Sequence, residues 1–172
     1  EKKEEIQQEE PKPTEEEIPS YILIDYDIYK KDNEKCGIFN DYQLSTFIGC
    51  GGSGIVRKAK RRSDNTIVAL KFIRYKSTTP KEREKIEREC KIMSELNHPN
   101  IVRFYNDYTG IYHKYIAMEL VEGWDLFHLI FSNSKREMMK ICMKKFMLQM
   151  LEALSYLHSK NIAHRDLKQE NV

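Results

Sequence analysis

Four glycines crowd into six residues, at Gly49, Gly51, Gly52 and Gly54 of GCGGSGIV (49–56). Each costs about 0.5–1 kcal/mol against alanine in a regular element, so such a cluster calls for bare backbone, as where a chain lies against phosphates. Gly49, Gly51 and Gly54 fit G-x-G-x-x-G. In a dinucleotide-binding fold that pattern opens a helix inside a βαβ unit. Here it runs into IVRKAKRR, which alternates as a strand does, and no βαβ unit follows. The glycines are therefore expected to form a hairpin.

Seventeen residues beyond Gly54 stands Lys71, inside IVALKFI. On a strand, Ala69, Lys71 and Ile73 share a face, which puts an ammonium in an apolar row beneath the hairpin, within reach of phosphate oxygens. Burying that charge unpaired is expensive. Glu89 is the expected partner, on the helix face otherwise made by Ile86, Met93 and Leu96. Taken singly, each charge reads as a surface or snorkelling group. HRDLKQEN (164–171) then sets two acids, three bases and two amides within eight residues, which in isolation is a polar turn after a helix.

The surrounding elements must hold these groups in place. SYILIDYDIYKKD (20–32) is aromatic and partly alternating, and reads as a short docked strand or an ordered linker. Strands are expected at 42–49, 54–61 and 66–74, then at 101–106 and 114–121. A helix is expected from Thr79, with Pro80 in its first turn, to the stop at NHPN. A short apolar run at 126–131 precedes the strongest helical pattern, 138–158. There Met143, Phe146, Met147, Met150, Leu151, Leu154 and Leu157 form one face, read as packing material rather than a cofactor box.

Composition narrows the function class. With 172 residues, 40% apolar and 33% charged, the chain can build a modest core. Residues 1–20 hold eight glutamates against three lysines and three prolines, and read as a flexible acidic tail. The mild positive charge left on the remainder, with no basic and aromatic stripe, argues against nucleic acid. Cys36, Cys50, Cys90 and Cys142 are spaced for neither a metal site nor a disulfide framework, so reduced thiols in an intracellular setting, cytoplasmic or nuclear, are expected. No apolar run is long enough for a membrane span, and the acidic start is unlike a signal peptide.

HRDLKQEN resembles the catalytic loop of the eukaryotic protein kinases. With G-x-G-x-x-G-x-V at 49–56, VALK at 68–71 and Glu89, residues 42–172 resemble the N-terminal half of that domain. The resemblance implies an α+β fold, with a five-stranded antiparallel small lobe carrying one inserted helix, followed by the start of a mainly helical large lobe. Its divisions would be an extension or linker at 21–41, small lobe at 42–117, hinge at 118–125 and large lobe from 126.

The resemblance further implies ATP and Mg2+ as partners and a protein serine or threonine hydroxyl as acceptor. Ile48 and Val56 would press on the adenine with Ala69, while Gly49, Cys50, Gly51, Gly52, Ser53 and Gly54 cover the phosphates. Lys71 would hold the inner phosphates and Glu89 would hold Lys71. Asp166 would take or orient the hydroxyl proton, Lys168 would reach the transferring phosphate, and Asn171 would ligate magnesium. In AMELVEGWDLF (117–127), Met118 would be the gatekeeper, Glu119 and Val121 the backbone partners of adenine, and Asp125 the ribose contact. Lys168 is similar to the serine/threonine branch, while HPNIV (98–102) and YLHSKNIAHRD (156–166) resemble its calcium/calmodulin-dependent and related groups. Trp124, where many kinases have glycine, and Gln169, where proline is commoner, depart from the pattern.

The D-F-G aspartate of the family would lie beyond Val172, together with the activation loop and any regulatory docking surface in that part. The 172 residues alone are therefore expected to be inactive in phosphotransfer and to expose apolar surface on the 138–158 helix. The alternative is a non-catalytic regulatory or nucleotide-binding fragment, or a pseudokinase acting through protein interaction.

Overall fold

The computed structural model describes residues 26–51, 54–131 and 136–172. The acidic stretch 1–20, residues 20–25 of the expected docked strand, and Gly52 and Ser53 lie outside them. Five strands, β1 (Tyr42–Gly51), β2 (Gly54–Arg61), β3 (Ile67–Arg74), β4 (Phe104–Thr109) and β5 (His113–Glu119), form one antiparallel sheet in the order β1-β2-β3-β5-β4. β3 is central and is buried along Val68, Ala69, Leu70 and Phe72. Because strand side chains alternate, Val68, Leu70 and Phe72 serve one face while Ala69 and Lys71 serve the other.

The first face carries the main core. The register sets Val68 opposite Ala59, and Phe72 opposite both Ile55 and Tyr115. Against them pack Ile38, Tyr42, Tyr29 and Phe39. The rings meet edge to face, Phe72 with Tyr115 at 5.0 Å and Tyr29 with Phe39 at 5.2 Å, as aromatic quadrupoles favour.

Part of that core, Ile38 with the half-buried Tyr29, Cys36 and Phe39, comes from a segment expected to be a strand or linker. Residues 26–36 are instead helix α1 (Tyr26–Cys36), followed by the single turn α2 (Ile38–Asp41). The reason is visible once the sheet is present. Tyr29, Asp32, Asn33 and Cys36 recur at helical spacing and are the buried or half-buried positions. Gly37, at φ 70°, ends the helix in the left-handed region, and its N–H donates to the Asn33 carbonyl at 2.7 Å.

The other face of the sheet receives helix α3 (Pro80–Ser94). Thr79 caps it in a reciprocal capping box with Glu82, and Pro80 opens it. β4 starts at Phe104 rather than 101, since Ile101 N–H closes a turn onto the His98 carbonyl at 3.1 Å. β5 starts one residue before the expected 114 and ends at Glu119 rather than 121. Next come α4 (Leu126–Phe131), α5 (Arg136–Ser159) and a 3-10 turn at Gln169–Asn171. On α5, Leu157 is buried and Phe146, Met150 and Leu154 are half-buried, while Met143, Met147 and Leu151 are exposed. Only part of the expected apolar stripe is thus covered. The loop before β4 is fastened to α5 by the Asn97 N–H to Tyr156 Oη bond of 3.0 Å and by His98 stacked on the same ring. Among the described residues no helix is long and apolar enough to cross a membrane.

If α1 and α2 are part of the core, Ile38→Ala should cost about 2–5 kcal/mol, as for a fully buried large aliphatic residue. Urea unfolding measures it. A chain shortened to begin at Tyr42 should lose its cooperative thermal transition in calorimetry.

Candidate functional site

The sheet register delivers the juxtaposition expected from the spacing. Gly49 lies opposite Val56, Val56 opposite Lys71, and Lys71 opposite Ile116, giving one row across four strands. Ala69 and Met118 face each other in the next row on the same face. Lys71 is half-buried, Ala69 buried, and Val56 and Met118 half-buried, so the lysine rises from an apolar floor under the glycine hairpin. Ile48 and Cys50 are exposed at its lip.

The glycines are required for different reasons. Gly54 has φ 129°, and a Cβ there would sit 2.1 Å from the Phe72 carbonyl oxygen, so its need is internal. A Cβ at Gly49 or Gly51 would meet nothing within 4 Å. Their missing side chains leave open space rather than relieve a clash inside the chain, which fits a cradle for an external group.

The expected Lys71–Glu89 pair is not formed. Glu89 is exposed, and among the described residues no ion pair or hydrogen bond joins it to Lys71. Glu87, itself 46% exposed, reaches back to the sheet instead, accepting from Lys114 Nζ at 2.8 Å and from Tyr75 Oη at 3.0 Å. Two residues apart on a helix means nearly opposite directions, so with Glu87 turned inward Glu89 turns out. Lys114 is 1% exposed and also meets Asp107 and Thr109 Oγ1. Burial would lower its pKa, but the hydrogen bonds to Asp107 and Glu87 outweigh it and hold the pKa above the ordinary lysine value. Glu87, Asp107 and Lys114 are not singled out by the sequence. One signal was available, since Lys114, Ile116 and Met118 alternate on β5.

The second group gathers at the end of the chain. Asn171 Nδ2 donates to the Asp166 carbonyl at 2.8 Å and to Asp166 Oδ2 at 3.0 Å, and Lys168 Nζ lies 3.3 Å from Oδ2. Hydrogen bonds from Lys168 and Asn171 hold the exposed Asp166 carboxyl below its usual range. Arg165 bends the loop at φ 65°, which non-glycine residues rarely adopt, and His164 Nδ1 accepts the Asp166 N–H at 3.3 Å.

The loop is tied to the segment after β5, for Leu126 N–H donates to the Val172 carbonyl at 2.8 Å. Asp125 thereby stands near the loop, but it caps α4. Its Oδ1 accepts from the His128 N–H and lies 2.8 Å from His128 Nδ1. Burial raises its pKa, yet those His128 bonds outweigh it and leave the carboxyl below the ordinary value. Glu119 spends its backbone N–H on the Arg103 carbonyl at 2.8 Å, and Val121 is exposed. Lys58 reaches Glu122 at 3.2 Å, linking β2 to this segment. A surface concavity of about 490 Å3 lies elsewhere, lined by Asp41, Tyr42, Arg61, Arg62, Tyr105 and Tyr108. It does not include the glycine hairpin or Lys71.

Among the described residues no three His, Cys, Asp or Glu side chains group closely enough to hold a metal. Asn171 does fit as one ligand, because its amide nitrogen is committed to Asp166 and its oxygen is the atom suited to a hard cation.

A glycine hairpin over a strand lysine, with an Asp–Lys–Asn loop beyond a hinge, defines the protein kinase class. Residues 42–172 match the protein kinase domain family, and the chain belongs to it. It is 31% identical over 163 residues to a serine/threonine-protein kinase of Caenorhabditis elegans, covering 90% of this chain and 34% of that protein. It is 35% identical over 144 residues to a calcium/calmodulin-dependent protein kinase type 1 of Macrobrachium nipponense, covering 83% and 41%. A serine/threonine-protein kinase of Arabidopsis thaliana is 35% identical over 139 residues, covering 81% and 22%. The chain thus spans less than half the length of the curated relatives it matches.

Gly54 and Gly51 should respond oppositely to alanine. Gly54→Ala should lower stability by about 1–3 kcal/mol or more through strain and the clash with Phe72. Gly51→Ala should leave it unchanged or raise it by up to about 1 kcal/mol. Thermal denaturation of the two variants side by side decides this.

Proposed function

We propose that this chain carries the nucleotide-binding half of an ATP-dependent serine/threonine protein kinase, which transfers the γ-phosphate of ATP to a protein hydroxyl. The observation that carries the reading is the row Gly49–Val56–Lys71–Ile116, which puts an ammonium on an apolar floor beneath glycines whose missing side chains leave open space. Phosphoryl transfer asks mainly for positioning and charge neutralisation. Lys71 neutralises the inner phosphates, while the backbone of the 49–54 hairpin covers them. Ile48, Val56 and Ala69 exclude water around the base, and Glu119 and Val121 fix its edge through their backbones. Asp125 reaches the ribose with the carboxylate oxygen not engaged by His128.

Asp166 orients the acceptor hydroxyl and takes its proton at Oδ. Its bonds to Lys168 and Asn171 keep it ionised, which favours that acceptor role. Lys168 stands ready to leave Asp166 for the transferring phosphate, and it also supports the serine/threonine assignment. Asn171 would help hold a magnesium ion, which when bound supplies positive charge at the phosphates.

One observation favours a second reading. With Glu87 rather than Glu89 turned inward, α3 stands in an arrangement in which Lys71 lacks its acidic brace. That suits a nucleotide-binding half-domain acting through protein contacts, without transfer.

Titration with a fluorescent ATP analogue and Mg2+ tests the proposal. Lys71→Met should weaken binding at least about tenfold, and Asp166→Asn should leave it within about twofold. In a serine/threonine peptide assay on the parent protein, Asp166→Asn should remove transfer. Equal affinity of the Lys71→Met variant and the native chain would reject the site. Binding that depends on Lys71, with transfer insensitive to Asp166, would favour the second reading.

A further inference from the structure

Asp32 is the most heavily engaged carboxylate in the described structure that the proposed chemistry does not use. It lies on α1, is fully buried, and accepts from the backbone N–H groups of Ile111 at 2.5 Å, Tyr112 at 2.7 Å and His113 at 3.1 Å. Tyr115 Oη donates to its Oδ2 at 2.7 Å, and His113 Nδ1 lies 3.1 Å from the same oxygen. Three successive main-chain donors around one anion make a nest, formed here by the turn between β4 and β5. Gly110 admits the carboxylate, since a Cβ there would stand 2.5 Å from Asp32 Cγ.

The same turn holds α3. The Tyr112 carbonyl accepts from the N–H groups of Tyr75, at 2.7 Å, and Lys76, at 3.1 Å, the two residues that follow β3 toward α3. Tyr75 Oη and Lys114 Nζ both donate to Glu87. Arg83 of α3 returns to the Lys76 carbonyl at 3.2 Å and to Thr78 Oγ1 at 3.3 Å. His113, Lys114 and Tyr115 are consecutive, so β5 is gripped from opposite faces, by Asp32 through the first and third and by Glu87 through the second. Moving the turn off Asp32 displaces Tyr112 and Lys114 together, and with them both attachments of α3.

We propose that Asp32 is a positioning residue for α3, and that docking of α1 on the β4–β5 turn sets the rotation that decides whether Glu87 or Glu89 faces the sheet. The significance of Glu89 rests on the kinase reading above. The mechanical coupling does not. A surface or modification that draws α1 away would then act on the nucleotide site from the far side of the sheet, through a residue that lies outside 42–172.

Cys90 supplies a native reporter. It lies on α3 three residues beyond Glu87, is 3% exposed, and sits within the field of Lys114 and Asp107. The test compares its alkylation rate, read by peptide mass spectrometry on the 172-residue chain, with hydrogen exchange of the β3 amides 68–72. In Asp32→Asn, Cys90 alkylation should accelerate at least about tenfold more than β3 exchange does, the mark of local release of α3. In Ile38→Val, which weakens the same core without touching the turn, the two should change by one factor. Should Asp32→Asn not fold, Tyr115→Phe, which removes a single hydrogen bond to the carboxylate, gives the same comparison with a smaller excess. Equal acceleration of Cys90 and β3, or no change at Cys90, would overturn the proposal and leave Asp32 a stability element. Neither readout involves nucleotide, so failure of the kinase reading would appear in the ATP titration instead.

Discussion

The alternation of strand β3 is the constraint on which the rest depends. Val68, Leu70 and Phe72 point into the aromatic core beneath α1 and α2, while Ala69 and Lys71 point toward the glycine hairpin and α3. A slip of one residue would put the lysine in the aromatic core and phenylalanine in the cleft, which is why the pairing on both sides of β3 is strongly specified. The core therefore does more than stabilise the sheet. It fixes which atoms lie under Gly49 and Gly51, and so leaves the open side of the hairpin facing Lys71 and Val56.

A second consequence concerns where the functional unit begins. The family match starts at Tyr42, yet Tyr29, Ile38 and Phe39 supply much of the packing on one face of the sheet, and Asp32 closes a backbone nest that no residue after 42 replaces. The preceding helices are thus integral to the small lobe in this chain. Their attachment at β5 lies directly across the strand from the attachment of α3. Both faces of the sheet consequently meet at His113–Tyr115, far in sequence from the glycines and from the Asp166–Asn171 loop.

The motif-bearing parts were legible in the sequence because their constraints are local. A threonine followed by proline with Glu82 in the box fixes the start of α3, alternation around Lys71 fixes its strand face, and Gly54 is demanded by its own φ. α1 was not legible as a helix. The aromatic and apolar residues of 20–29 favour a strand in isolation, and the helical spacing of Tyr29, Asp32, Asn33 and Cys36 gains force only against a sheet already in place. The choice between Glu87 and Glu89 was hidden for a related reason. Both acids sit on the same amphipathic helix, and the one turned inward is selected by a buried lysine more than twenty residues away, on β5. Asp125 shows the remaining ambiguity, since the carboxylate expected to contact a ribose is the one that caps α4.

The central claim is that a nucleotide lies beneath the glycine hairpin against Lys71, and Cys50 at the exposed lip of that hairpin reports it directly. The decisive measurement is the alkylation rate of Cys50 with and without saturating Mg-ATP, followed by peptide mass spectrometry. Nucleotide bound against Lys71 should slow the reaction at least about fivefold in the native chain and leave it unchanged in Lys71→Met. An alkylation rate indifferent to nucleotide in the native chain, at concentrations that saturate the fluorescent analogue, would contradict it.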